Sequence, residues 1–215
     1  MTTRIRTRFA ICAIAAAIAT LFSNSPSAYV ASGPTWSAAQ VGYYVNTANL
    51  DLLPASSVEA AVRAGADTWH LQSGAGLQFS FAGQSAQSTT TYDAVNLVVF
   101  RNASSGSAIA TAYWWSSGSR IVDADIVFWD GAFRFFSGTT GCSGGFYIED
   151  IAAHEFGHAL GLGHSASTDA TMYFSTSSCN TANRSLHADD IAGVRALYPP
   201  TQGPPSAPSG LRFTN

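Results

Sequence analysis

HEFGHALGLGH, residues 154–164, decides the reading of this chain. It spells H-E-x-x-H-x-x-G-x-x-H, with His154, Glu155, His158, Gly161 and His164 in the five defined places. Residues four apart on a helix share a face, so His154 and His158 direct their imidazoles at one ion from Cβ atoms about 6 Å apart. Glu155 is rotated by about 100° from His154, within reach of a water on that ion but outside its coordination shell, which is a general base's position. A helix continued six residues past His158 would carry the chain about 9 Å along its axis, away from the same ion. Gly161 allows a turn instead: a glycine just past the last helical turn can take a left-handed conformation and let His164 return as third ligand. Three histidines leave one tetrahedral position for water, the mark of a catalytic zinc site. A bare H-E-x-x-H arises by chance in helices; the longer pattern is far more specific.

Upstream of the motif, Glu149 and Asp150 fall in the first turn of the same helix, where acidic groups complement its dipole. The glycine-rich stretch 137–145, containing Cys142, reads as the loop before it. Two strands precede that loop, Ala108–Trp115 (AIATAYWW) and Ile121–Trp129 (IVDADIVFW); their closeness in sequence predicts antiparallel neighbours, one of them at an edge. Asn96–Phe100 (NLVVF) is almost wholly apolar, as a central strand covered on both faces should be. Further strands are expected at Gln40–Val45 and Gln78–Phe81. Between these two, Ser56 and Glu59 fit a capping box, and Val58, Ala61, Val62, Gly65 and Trp69 form the inner stripe of a helix. His70, at its end and without ligand neighbours, reads as a capping or packing residue. Downstream, Ser185 is the expected cap of a last helix with an apolar stripe of Ile191, Val194, Leu197 and Tyr198, ended by Pro199 and Pro200. His187 reads as incidental.

The 215-residue chain suits one domain with appendages. Residues 1–30 have the form of a secretory leader: Arg4, Arg6 and Arg8, an apolar run from Phe9 to Phe22 that is short of the ~20 residues needed to span a bilayer, then small residues. Its cleavage takes Cys12 away and leaves Cys142 and Cys179, an even pair predicted to form a disulfide in an oxidising compartment. Three arginines leave too, moving the formal net charge from −3 to about −6. An acidic surface argues against nucleic acid and anionic membranes as partners, and no second apolar run offers a membrane anchor. The sequence contains no lysine, which excludes lysine Schiff-base chemistry. Residues 31–199 form the expected domain. Residues 200–215 read as a proline-rich linker whose end, PPSAPSGLRFTN, resembles the entry to a fibronectin type III module. No feature sets an oligomeric state.

The extended motif, together with Met172 in Thr171-Met172-Tyr173 eight residues after His164 and Ser165 directly after the third histidine, resembles the metzincin metallopeptidases, in particular the matrixin branch. The likeness runs from about Trp36 to Tyr198, where DDIAGVRALYP resembles the last matrixin helix. It implies an α+β, zincin-like fold: a twisted mixed β-sheet of about five strands with three helices and a zinc cleft. It further implies one catalytic zinc on His154, His158 and His164, Glu155 as general base, and Met172 as an apolar floor that is not a ligand. Ala108, Ile109, Ala110 and Thr111 would lie on an edge strand that binds an extended protein or peptide substrate by strand addition, the plainer alternative being an ordinary edge strand. Asp189 or Asp190 would pair with a mature N-terminal ammonium or bond to the methionine turn. Matrixins often carry calcium and a second zinc. The second-zinc pattern is absent here, and calcium through Asp123, Asp125 or Asp130 competes with a solvated strand face, which is the preferred reading. Phe174 stands where matrixins usually have proline, which leaves preference for the residue after the scissile bond open.

The function implied is that of a secreted zinc endopeptidase. The competing class is a secreted binding or adhesion protein that retains an inactive or weakly active metallopeptidase fold. A third reading is zinc-dependent hydrolysis of a non-peptide amide.

Overall fold

A computed structural model describes residues 28–200. Residues 1–27 of the expected leader and 201–215 of the expected linker with its module-like end therefore lie outside the described residues.

Alternation builds the first strand, β1 (Gln40–Val45), with Val41, Tyr43 and Val45 pointing into the core. Helix α1 (Ala55–Ser73) follows and buries the expected stripe of Val58, Ala61, Val62, Gly65 and Trp69. The capping box does not form. Extended Pro54 is the N-cap, so Ser56 already lies inside the first turn, where its backbone is helical and its hydroxyl cannot act as a cap. Glu59 turns outward instead, to Arg63 at 3.2 Å and to the Gln84 amide at 3.0 Å. The far end closes as expected: left-handed Gly74 donates its N–H to the His70 carbonyl, and His70 Nδ1 bonds the Ala75 carbonyl oxygen at 2.9 Å.

Strands β2 (Gln78–Gln84), β3 (Leu97–Phe100), β4 (Ala110–Ser117) and β5 (Arg120–Phe128) complete a five-stranded sheet in the order β2-β1-β3-β5-β4. The first four of these positions run parallel, with apolar β3 in the middle, and β4 runs antiparallel to β5 at the edge. A second, two-stranded sheet, unforeseen from sequence, pairs β6 (Phe135–Phe136) with β7 (Phe146–Tyr147). It brackets the glycine-rich loop, and a side chain at Gly145 would collide with the Arg134 carbonyl oxygen.

Helices α2 (Ile148–Ala159) and α3 (Ala188–Leu197) finish the domain. Helix α2 crosses α1 at Gly65, where a Cβ would come 2.6 Å from Ala152 Cβ and 2.7 Å from the Ala153 nitrogen, so only glycine permits the approach. Glu149 and Asp150 do lie in the first turn of α2, and both also face Arg184, at 3.0 and 2.6 Å. Cys142 and Cys179 are bonded, with Cα atoms 5.5 Å apart. Closing 37 residues of chain contributes roughly 3 to 4 kcal/mol on a loop-entropy account.

Two further expectations are corrected. The cap of α3 is His187, not Ser185: residues Ala182–Arg184 form a 3-10 turn that Ser185 ends, which shifts the helix start to Ala188. His187 Nδ1 accepts the Asp189 N–H at 3.2 Å while the Asp190 carboxylate accepts the His187 N–H at 2.9 Å, a reciprocal cap. Asp123 and Asp125 do not form a solvated face. Both are fully buried, because the segment before β3 folds over them and needs acceptors: Asp123 Oδ2 takes the N–H groups of Asp93 and Ala94, both at 2.8 Å, and Asp125 takes those of Thr91 and Leu97, both at 3.0 Å.

Candidate metal centre and cleft

Helix α2 delivers His154 and His158 from one face, four residues apart. Its opposite side is anchored by the Trp69 indole, which donates to the Ala153 carbonyl at 2.8 Å. After Ala159 the backbone turns at Gly161, whose φ is +96° and whose Cβ, if it had one, would lie 2.7 Å from the Pro34 carbonyl oxygen. A helix end leaves carbonyls without partners, and distant residues supply them here. The Trp36 indole donates to Ala159 (2.8 Å), the Tyr198 hydroxyl to Leu160 (2.6 Å) and the Ser32 N–H to Gly161 (2.7 Å). The turn is thereby held, and His164 comes back to the face it left.

The three Nε2 atoms converge. His158 Nε2 lies 3.1 Å from His154 Nε2 and 3.2 Å from His164 Nε2. The other ring nitrogens decide what those contacts mean. His154 Nδ1 lies 2.7 Å from the Thr171 carbonyl oxygen and His158 Nδ1 lies 2.8 Å from the Leu162 carbonyl oxygen. A carbonyl accepts only, so both Nδ1 atoms carry the proton and both Nε2 atoms present bare lone pairs to each other. That arrangement repels unless a cation lies between the rings. A tetrahedral zinc with nitrogen ligands at about 2.0–2.1 Å sets them about 3.3 Å apart, close to what is seen. Charge agrees with geometry. Burial, then the neighbouring His158, push His154 down to about 3, and burial is also the main cause lowering His158 and His164. The imidazoles are neutral at physiological pH, as metal ligands must be.

Glu155 is buried beside them, with Oε2 lacking a hydrogen-bond partner among the described residues. Burial pushes it up to about 8, and the Ala112 N–H on β4 pulls the other way. A dication beside it would favour the ionised form. Met172 is buried under helix α2, and a Cβ on Gly157 would collide with its sulfur. The methionine turn is clamped from α3: the Asp190 carboxylate accepts the Thr171 N–H at 2.7 Å and the Met172 N–H at 3.0 Å. The expectation that Asp189 or Asp190 reaches this turn thus holds for Asp190. Asp189 accepts the Ala28 N–H and the Ser165 hydroxyl, both at 2.7 Å.

These groups open on a cleft of about 670 Å³. Ala108, Ile109, Ala110 and Thr111 all line one side with Ala112 and Trp114; Tyr173, Phe174, Ser175 and Thr176 line the other. Phe133, Phe146, Ile151 and Asn183 also line it. Sequence reasoning missed this last set, since residues from five separate segments meet here and no local pattern connects them. Phe174 is 65% exposed, its ring 6.4 Å from that of His164.

An α+β scaffold with three neutral imidazoles that could hold one metal ion, set at the edge of a mixed sheet, defines the class. The model of the matrixin peptidase family matches residues 35–199, and the chain belongs to that family. It is 43% identical to neutrophil collagenase of Homo sapiens over 72 residues, 33% of this chain and 15% of that protein. It is 30% identical to stromelysin-1 of Rattus norvegicus over 183 residues, 80% of this chain and 34% of that protein. Metalloendoproteinase 4-MMP of Arabidopsis thaliana is 47% identical over 51 residues, 24% of this chain and 15% of that protein. The chain thus spans between 15% and 34% of the length of these curated relatives. Membership implies zinc, and the histidine triad suits it.

Proposed function

We propose that this chain is a zinc endopeptidase that hydrolyses peptide bonds in an extended protein segment laid along β4. The observation that carries the reading is the meeting of three Nε2 lone pairs with a buried, partnerless carboxylate oxygen on a sheet-edged cleft. Zinc held by His154, His158 and His164 supplies Lewis acidity, acidifying water and polarising the scissile carbonyl. Glu155 accepts the proton of the attacking water and returns it to the departing amine. The Thr171 and Leu162 carbonyls fix the tautomers that keep both Nε2 atoms of the helix free to ligate. Strand β4 begins only at Ala110, so Ala110 and Thr111 would offer main-chain hydrogen bonds to the substrate from the sheet's edge, while Ala108, whose N–H is bonded to Ser105, and Ile109, whose carbonyl accepts the Trp129 N–H, line the cleft beside them.

The disulfide fits an oxidising compartment, and we read the protein as secreted. No helix among the described residues is long and apolar enough to cross a membrane. For calcium, Asp123 Oδ1 and Asp130 Oδ1 are both buried without a hydrogen-bond partner among the described residues, and metal analysis of protein prepared without chelator tests whether either holds a cation.

The deciding experiment incubates the protein with unfolded protein substrates, with and without chelator, beside Glu155→Ala. Chelator-sensitive cleavage by the wild type is expected, with the variant retaining zinc and losing almost all turnover. Equal turnover in the two removes Glu155 from its role. A zinc-loaded wild type that cleaves nothing supports the binding-protein reading instead.

A further inference from the structure

Cys179 is three residues past Thr176, the end of one cleft wall, and Cys142 is four residues before Phe146, which lines the same cleft. The two strands of chain are laced together at the bond itself. The Gly145 carbonyl accepts both the Cys179 N–H (2.9 Å) and the Ser178 hydroxyl (3.0 Å), and the Cys142 N–H donates to the Tyr147 hydroxyl at 3.3 Å. Residues 174–183 touch the cleft at both ends, through Phe174 to Thr176 and through Asn183. Their middle is tied by Cys179, with a local bond from the Asn180 amide to Thr176 Oγ1 at 3.0 Å. Cys179 itself has φ +60°, a conformation that a side chain other than glycine adopts only when its surroundings hold it there.

The metal-side constraints meet this frame at Asn183, whose carbonyl accepts the Thr171 hydroxyl and whose N–H donates to Asp150 of α2, both at 3.2 Å, but the bonds that orient the ligands themselves lie outside it. His154 and His158 are held by carbonyls of Thr171 and Leu162, and the Thr171–Met172 turn is held by Asp190 from α3. Nothing in that set passes through residues 174–181.

We infer that the Cys142–Cys179 disulfide is a positioning device for substrate recognition: it fixes the 174–183 wall against Phe146 and so sets which side chain the cleft accepts beside the scissile bond. The inference rests on the endopeptidase reading. Opening the bond releases the wall and leaves the proton-transfer and metal-binding groups in place.

The test compares the oxidised wild type with Cys142→Ser/Cys179→Ser, and with wild type reduced by a phosphine that does not bind zinc through sulfur, on fluorogenic peptides whose residue after the scissile bond varies in size. Zinc content and amide hydrogen exchange are measured on the same samples. The expected result is a KM raised by about tenfold with kcat within about threefold, and a flattened preference for side-chain size. Exchange should quicken across 174–183 while α2 stays protected and zinc stays stoichiometric. Unchanged KM and selectivity, with the oxidised wild type active, overturn the inference while leaving the endopeptidase reading intact. Loss of zinc or of α2 protection overturns it in favour of a purely structural role. An oxidised wild type that cleaves no peptide removes both.

Discussion

Gly157 occupies one of the unspecified places of the motif, yet the structure leaves no room for a side chain there. A Cβ built there collides with the Met172 sulfur, comes 2.5 Å from Trp69 Cζ2 and 3.1 Å from Trp69 Cη2. Two effects oppose each other in Gly157→Ala. Helix propensity favours alanine by about 1 kcal/mol, and overpacking a filled core costs roughly 1–3 kcal/mol. Whether the neighbours can yield decides the sign. Both are buried, the Trp69 indole is bonded to Ala153, and the Met172 N–H is held by Asp190. Both contacts are far below van der Waals distance, so the overpacking cost falls in the upper part of its range, about 2–3 kcal/mol, and the net loss after the propensity gain is about 1–2 kcal/mol. Met172 is joined to Thr171, whose carbonyl orients His154, so zinc affinity should fall with stability. Urea denaturation reads the first effect: the midpoint should drop by roughly 0.5–1 M at unchanged slope. Gly42→Ala is the control, since its Cβ would meet nothing closer than 3.8 Å. A Gly157→Ala midpoint equal to or above that of Gly42→Ala would refute the packing argument.

Burial and the neighbouring Asp123 charge push Asp125 up to about 7 from an ordinary 3.8. A raised carboxyl pKa means that the folded state holds the proton more tightly, so this group's contribution is fully present below about pH 4 and lost as the pH rises through 7, a change of at most roughly 4 kcal/mol. Urea midpoints at pH 4.5 and 7.5 should therefore converge in Asp125→Asn, and an undiminished pH slope in the variant would count against the assignment. Replacing His187 by alanine removes the cap of α3 and should lower stability by about 1 kcal/mol in calorimetry, whereas Ser185→Ala should do so by less; the reverse order would restore Ser185 as the cap. Chelation should lower the thermal midpoint, because it leaves the His154 and His158 lone pairs opposed at 3.1 Å, and added zinc should restore it; a midpoint indifferent to zinc would mean that the ion binds elsewhere.

Much was legible in the residues alone, and for a common reason. Helix periodicity relates positions a few residues apart, so His154, Glu155 and His158 could be placed on α2 from spacing, and Gly161 could be read as the turn. The apolar run of β3 and the alternation of β1 are equally local, and the cysteine pair needed only counting. What tertiary structure decided involves partners far along the chain. The carbonyl of Thr171 selects the His154 tautomer across 17 residues, and the Trp36 indole closes the end of α2 across 123. Asp123 and Asp125 follow strand alternation, but alternation is silent on what covers a face, and here a folded segment with N–H groups to satisfy does so. Ser56 and Ser185 failed as caps because one preceding proline and one 3-10 turn moved each helix start, and a cap acts only from the boundary residue itself. The zinc ligands were thus written in a short local pattern, whereas the walls of the cleft exist only once five separate segments have packed against one another.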